Sequence, residues 1–228
     1  MINVRDIAYV RYQVPDLDAQ ADFMADFGVR LYRRDPAALY LASYGGGYPV
    51  YIAEQGPERA LGMGFVADSR ADLERVAAAF GVEVAANEEL GRGDVVTLTD
   101  PDGFRVDLLH GGEVTESATT RPPLLLNNAL NRTRRGSTNR APAGASHVMR
   151  LGHVVLKTVD FPAMMAFYQK VLGFKVSDSY FGGAPENTVA AFLHCGLGEA
   201  YTDHHTVALL NLGNTAPEFD HSAFEVLD

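Results

Sequence analysis

The chain has 228 residues, of which 47% are hydrophobic, 10% aromatic and 21% charged. That composition supplies a globular core and excludes disordered and collagen-like chains. A formal net charge of −10 argues against a duplex-coating or polybasic membrane role for the chain as a whole. One stretch is built differently: residues 121–150 hold six arginines (Arg121, Arg132, Arg134, Arg135, Arg140 and Arg150) and no acidic residue.

No run of about 18 apolar residues is present, and the opening MINVRDIAYVRYQVPD alternates polar with apolar instead of forming an export signal. The lone cysteine, Cys195, can form no intrachain disulfide, so a reducing cytoplasm is the expected location. None of the seven histidines precedes His110, and five of them (His153, His194, His204, His205 and His221) fall within residues 153–221. Imidazole chemistry is confined there.

In chain order, residues 7–14 alternate as a strand. Asp16 then caps a helix whose Leu17, Ala21, Phe23, Met24 and Phe27 share one face and which stops at Gly28. Strands are expected at 29–32, 38–43 and 48–53, with Gly45, Gly46 and Gly47 as the last turn. This βαβββ unit is followed by a second: a strand at 61–67, Ser69 capping a helix over 70–80, Gly81 ending it, and strands at 82–85, 94–99 and 104–109. Asp100-Pro101-Asp102-Gly103 is a hairpin turn, since proline presets one dihedral and glycine permits a positive one.

Residues 111–150 break the pattern with Pro122-Pro123, Asn127-Asn128, Gly136-Ser137-Thr138-Asn139, Pro142 and the six arginines. This stretch reads as a linker arm whose arginines pair with acidic surfaces of the chain or of a neighbouring subunit. A third unit follows: a strand at 151–157, Asp160 as cap, a helix over 161–172, Gly173, and strands at 174–180, 187–194 and 204–212. A first strand of a fourth unit covers 219–227. Tyr9 and His153 are 144 apart, an offset at which Phe23/Phe167, Val10/Val154, Asp16/Asp160 and Ala19/Ala163 are identical. Joined to the repeated order of elements, these matches indicate an internal duplication.

Strand periodicity places His153 and Val155 on one face and Gly152, Val154 and Leu156 on the other. Likewise His221, Ala223 and Glu225 oppose Phe224 and Val226. With the apolar face of each strand on its helix, both histidines reach the other side of the sheet and can converge on one ion. Adjacent His194 and Cys195 point to opposite faces and read as structural. The stripe Met164, Met165, Phe167, Tyr168 and Val171 reads as core packing.

Three motifs then carry a resemblance: Leu-Gly-His-Val-Val-Leu around His153, Asp-His-His-Thr around His205, and Phe-Asp-His-Ser-Ala-Phe-Glu-Val around His221. With the repeated units, the chain resembles the vicinal oxygen chelate (glyoxalase/bleomycin resistance) superfamily, and within it the type I extradiol ring-cleavage dioxygenases of the catechol 2,3-dioxygenase type. The implied fold is α+β, built of repeated βαβββ modules in two domains, the second incomplete at its C-terminus. Residues 1–110 would be a metal-less domain, 111–150 the arm, and 151–228 the catalytic domain.

The resemblance implies that His153 and His221 are ligands of Fe(II), with Mn(II) as a substitute, and that His205 is the acid/base residue. The substrate would be a catechol-type diol and O₂ the co-substrate. His204, next to His205 on a strand, is expected to point away. The family's third ligand, a glutamate late in the fourth unit, would lie beyond Asp228, and Glu225 sits too close behind His221 to replace it. In the first half, Tyr9 stands for His153 and Gly62 or Met63 for His221. Asp107 there holds the carboxylate position without histidines, so that half reads as scaffold. The pocket wall available in the chain would be Val155, Ala223 and Val207. A homo-oligomer is expected, and no nucleic-acid or membrane partner. Two other readings stay open: a non-catalytic or truncated small-molecule binding protein of the same fold, and a glyoxalase-like isomerase or metal hydrolase. The extra histidine between the two ligands argues against the latter.

Overall fold

The computed structural model describes residues 2–122, 124, 126–132, 136, 140, 142–184 and 186–227. Pro123, Arg134, Arg135, Ser137, Thr138, Asn139 and Asp228, singled out in the sequence, lie outside them. Each helix starts where a short polar side chain answers free N–H groups. Asp16 accepts from the backbone of Asp18 and Ala19 and opens α1 (Leu17–Phe27); Gly28, at φ 106°, ends it in the left-handed conformation. Ser69 and Gly81 do the same for α2 (Arg70–Phe80). Asp160 caps α3 (Phe161–Ala166), which continues into a wider π-helical turn over Phe167–Val171.

Two sheets carry these helices. The first contains β1 (Val4–Val14), β2 (Arg30–Asp35), β3 (Ala38–Ala42), β4 (Tyr51–Gln55), β5 (Arg59–Ala67), β6 (Ala85–Asn87), β7 (Gly93–Thr99) and β8 (Arg105–Gly111). Its order is β2-β3-β4-β1-β5-β8-β7-β6. The second contains β9 (Val148–Lys157), β10 (Lys175–Phe181), β11 (Thr188–His194), β12 (Val207–Leu210) and β13 (Glu218–Val226), in the order β10-β11-β12-β9-β13. Strand β12 is shorter than the 204–212 expected from sequence, so residues 203–206 form a loop.

The duplication is written into the strand register. All eight pairs of β1 with β5 recur in β9 with β13 when 144 is added on the first strand and 159 on the second. Tyr9–Gly64 becomes His153–Ala223, and Arg11–Gly62 becomes Val155–His221. The irregularities recur as well: Ala8 and Gly152, like Leu61 and Asp220, are the extra residues of equivalent bulges. Because a bulge shifts the side-chain alternation by one residue, these positions decide which side chains face which way.

One apolar core runs through both sheets, from Ile2, Val10 and Phe65 to Val154, Leu156, Met164 and Tyr168. The two halves pack reciprocally. Phe27 of α1 meets Phe224 of β13 edge-on with centroids 5.6 Å apart, while Tyr168 meets Phe65, the duplicate of Phe224, at 6.4 Å. The helix-ending glycines complete the exchange. A Cβ on Gly28 would lie 1.8 Å from the Ser146 carbonyl oxygen, and one on Gly173 (φ 80°) 2.1 Å from that of Ile2. Each glycine thus admits the backbone that enters the other half's first strand. Gly28→Ala and Gly173→Ala are each expected to lower stability by at least ~2 kcal/mol, through backbone collision and left-handed strain together. The midpoint of urea unfolding checks this.

The turn at Asp100 also joins the halves. Its Oδ1 accepts from the N–H groups of Asp102 and Phe104, and the buried Tyr168 hydroxyl donates to Oδ2 at 3.2 Å. Burial, above all, pushes the Asp100 carboxyl up to about 6. Since the folded-state value lies above the ordinary one, the contribution of neutral Asp100 is complete below about pH 4 and lost as pH rises through 6. Asp100→Asn is therefore expected to be more stable than the parent at pH 8, by on the order of 2 kcal/mol, and not at pH 4. Melting curves at the two pH values decide.

The arm is held by backbone contacts. Thr115 bridges to Gly47, Ala118 N–H donates to the Tyr44 carbonyl, and Arg121 donates to the carbonyls of Pro142 and Ala145. Of the six arginines, Arg150 lies inside β9 and makes ion pairs of the expected kind, with Asp203 and Glu225.

Candidate metal centre

The site is assembled by three segments, each bringing one histidine. Strand β9 carries His153, the loop before β12 carries His205, and β13 carries His221. Val154 and Leu156 of β9 are buried in the main core, which turns His153 and Val155 to the opposite, concave side. Phe219 of β13 also packs on the core, so strict alternation would send His221 there too. The bulge at Asp220 adds one residue and sets His221 opposite Val155, with Ala223 opposite His153. Both histidines therefore face the concave side.

The rings of His153 and His205 lie 4.2 Å apart between centroids, and those of His153 and His221 5.7 Å apart. His153 and His205 border an open cavity of about 270 Å³, lined also by Arg150, Asp203, His204 and Ala223, among others. Burial first, then the neighbouring imidazoles of His205 and His221, push His153 down to about 4, against an opposing pull from Asp203. His205 is lowered by burial and by His204 and His221, again opposed by Asp203. His153 is thus a neutral imidazole at pH 7, with a lone pair to offer. His221 is half exposed, and its Nδ1 lies 2.7 Å from Asp220 Oδ2. A carboxylate on Nδ1 fixes the tautomer that leaves Nε2 free for a metal.

Two expectations are corrected. His204 does not point away: its Nδ1 is 3.2 Å from that of His205, and both rings touch Phe192. The reason is that β12 begins at Val207, so strand alternation does not govern residues 204 and 205. Val207 is not part of the pocket wall. It pairs with Val154 in the core, and Ala208, paired with Val155, takes the concave position. Phe192, paired with Ala208, continues that row and meets the His205 ring edge-on at 5.0 Å. Arg150, Asp203, Phe192 and Asp220 were not expected at the site. The sequence signals were Asp203 before the His204-His205 pair and Asp220 before His221. His194 and Cys195 remain structural: the thiol is buried against Thr206, and burial pushes it up to about 12.

The first half shows the same cup filled. Tyr9, the duplicate of His153, lies against Gly64, where a Cβ would meet its ring at 2.5 Å. Its hydroxyl donates to Asp107 at 2.8 Å. Arg11, the duplicate of Val155, is 2% exposed and binds Glu54 at 2.6 Å and Glu89 at 2.7 Å, with Asp107 3.8 Å away. Asp107 also accepts from Thr97 and Arg105. Where the second half presents imidazoles around open space, the first presents a closed ion network.

Two imidazoles on one concave face suit a divalent metal of intermediate softness. Among the described residues, no group of three His, Cys, Asp or Glu side chains is arranged to hold a metal ion. The first half marks where a carboxylate would enter: Asp107 on β8 pairs with Gly64, the duplicate of Ala223.

Paired βαβββ units with a histidine-lined concave face define a vicinal oxygen chelate fold. Residues 150–225 match the Glyoxalase/Bleomycin resistance protein/Dioxygenase superfamily. The chain is 28% identical over 227 residues to metapyrocatechase 2 of Cupriavidus necator, covering 99% of this chain and 66% of that protein. It is 25% identical over 195 residues to an iron-dependent extradiol dioxygenase of Rhodococcus jostii, covering 78% and 57%. The chain therefore spans less than two thirds of the length of these curated relatives. Two solved structures share the fold. The Mn(II)-bound glyoxalase of Novosphingobium aromaticivorans superposes with a TM-score of 0.73 at 24% identity, over 98% of this chain and 66% of that one. Homoprotocatechuate 2,3-dioxygenase of Arthrobacter globiformis gives 0.72 at 23%, over 97% and 63%. No described helix is long and apolar enough to cross a membrane.

Proposed function

We propose that the chain carries the iron-binding half-site of an extradiol ring-cleavage dioxygenase, which opens catechol-type diols with O₂. The observation that carries this reading is the convergence of His153, His205 and His221 on one concave face, together with the filled cup of the duplicate half. His153 and His221 would hold Fe(II), or Mn(II) in its place, and a carboxylate on a strand beside β13, where β8 lies beside β5, would complete the set. The bound metal would supply a Lewis-acidic centre at which diol and O₂ meet. The names of the curated relatives support the iron and the ring cleavage. A homo-oligomer in a reducing cytoplasm belongs to the same proposal.

The protein's own residues do the remaining work. His205, lowered by burial and by its neighbours, is neutral at pH 7 and can take the proton of a diol hydroxyl and later return it. Phe192 holds the His205 ring edge-on. Val155 and Ala208, paired across β9 and β12 and both buried, put apolar side chains beside the histidines.

Iron-loaded protein assayed with catechols for the yellow ring-opened product tests this. Turnover is expected when the carboxylate-bearing strand is present, and His205→Ala should lower it at least ~100-fold while iron is retained. Iron loss in the His205 variant would overturn its role. The arrangement of only two candidate ligands among the described residues favours a second reading, a diol-binding protein without turnover. Tight catechol binding by iron-loaded protein with no product, carboxylate strand included, would establish it.

A further inference from the structure

Resting on the ring-cleavage reading, we propose that Arg150 is a positioning residue: its guanidinium clamps the segments that deliver His153, His205 and His221 into one arrangement. The three ties are direct. Arg150 belongs to β9, the strand of His153. Its Nη1 and Nη2 each donate to Asp203 at 2.6 Å, two residues before His205, and its Nε donates to Glu225 of β13 at 2.6 Å. The bulge at Gly152 is what makes this reachable. Because Gly152 is unpaired, Leu151 turns into the core, and Arg150 comes to the same face as His153.

The loop needs such a tie. Residues 203–206 belong to no strand. They are otherwise held by Thr206, whose N–H donates to the Leu193 carbonyl and whose carbonyl accepts from the Val154 N–H of β9, and by Ser177 donating to the His204 carbonyl. The contact with β9 lies after His205; Arg150 supplies the tie from β9 to Asp203, ahead of it. A planar fork binding both oxygens of a carboxylate fixes orientation as well as distance, which a lysine cannot do. The duplicate half carries Asp6 in the place of Arg150 and Val66 in the place of Glu225, so the clamp belongs to the histidine half alone.

The test uses the full chain without metal, where ring activity plays no part. Nuclear Overhauser contacts between the His153 and His205 ring protons should be strong in the parent. They should fall at least threefold in Arg150→Lys and in Asp203→Asn, with melting temperatures close to the parent, and return in the exchanged pair Arg150→Asp/Asp203→Arg. Glu225→Gln, which cuts only the tie to β13, should leave them intact. Contacts of parental strength in both Arg150→Lys and Asp203→Asn would overturn the proposal, as would an equal loss in Glu225→Gln. In iron-loaded protein with the carboxylate-bearing strand present and a parent that turns over, Asp203→Asn should lower turnover with unchanged iron affinity; turnover equal to that of the active parent would also overturn the proposal. With that strand present, a parent that shows the expected contacts and variant responses but cleaves no catechol would sink the ring-cleavage reading and leave the clamp standing.

Discussion

Arg11→Met is expected to lower the stability of the protein by about 3–5 kcal/mol, the cost of breaking a buried ion network by removing one partner. Arg11 is almost wholly buried, and its guanidinium lies between Glu54, Glu89 and Asp107. Methionine fills the stem volume but leaves three carboxylates facing one another in the cup. Hydrogen bonds and charge from Arg11 hold Glu89 below the usual carboxylate range against its burial. Removing the cation reverses that balance and raises the carboxylates. Stability of the variant relative to the parent should therefore be poorest above about pH 5 and recover on acidification, as protons replace the missing cation. Urea unfolding at pH 7.5 and pH 4.5 reads both effects. A change under ~1 kcal/mol would show that the carboxylates rearrange into solvent.

The second large effect concerns the other cup. His153→Ala and His221→Ala are each expected to weaken Fe(II) or Mn(II) binding at least ~100-fold, since a change beyond the ligands alone typically costs 10–100-fold. His205→Ala should leave the affinity within about threefold, because His205 approaches through a loop and touches the His153 ring instead of sharing the strand pair that aims His153 and His221. Anaerobic calorimetric titration distinguishes the three. If His205→Ala loses the metal and His221→Ala keeps it, the ligand pair is His153 with His205, and the acid/base assignment fails.

Which of this was legible in the sequence follows from the range of each signal. The helices were readable because their caps are local: Asp16, Ser69 and Asp160 each answer N–H groups within three residues. The concave placement of His153 followed from the apolar alternation of Val154 and Leu156. That of His221 also emerged, although Phe219 and His221 pack on opposite faces only because Asp220 is bulged. Bulges shift a register by one residue and leave hydrophobic periodicity almost unmarked. The sequence pattern therefore places Arg150 in an arm, whereas the bulge at Gly152 turns it into the site. His204 was misplaced for a related reason, since the strand rule was applied to residues that form a loop.

The ion network of the first half was illegible because its partners are distant in the chain. Arg11 meets Glu54, Glu89 and Asp107 only once β1, β4, β5, β8 and the connection between β6 and β7 are assembled. No local pattern announces it. The duplication itself was visible as a handful of identities at an offset of 144, and the structure shows it to be complete across the β1–β5 and β9–β13 ladders. That completeness gives the two cups their value as a comparison: equal backbones hold Tyr9 and Arg11 in one half and His153 and Val155 in the other.

The central claim is that His153 and His221 are the imidazole ligands of one metal ion. Electron spin-echo measurement of nitrogen coupling on the Mn(II)-loaded protein tests it most directly. Two coordinated imidazole nitrogens are predicted, falling to one in His153→Ala or His221→Ala and remaining two in His205→Ala. A spectrum without imidazole coupling, or one whose coupling is lost with His205 and kept without His221, would contradict the account.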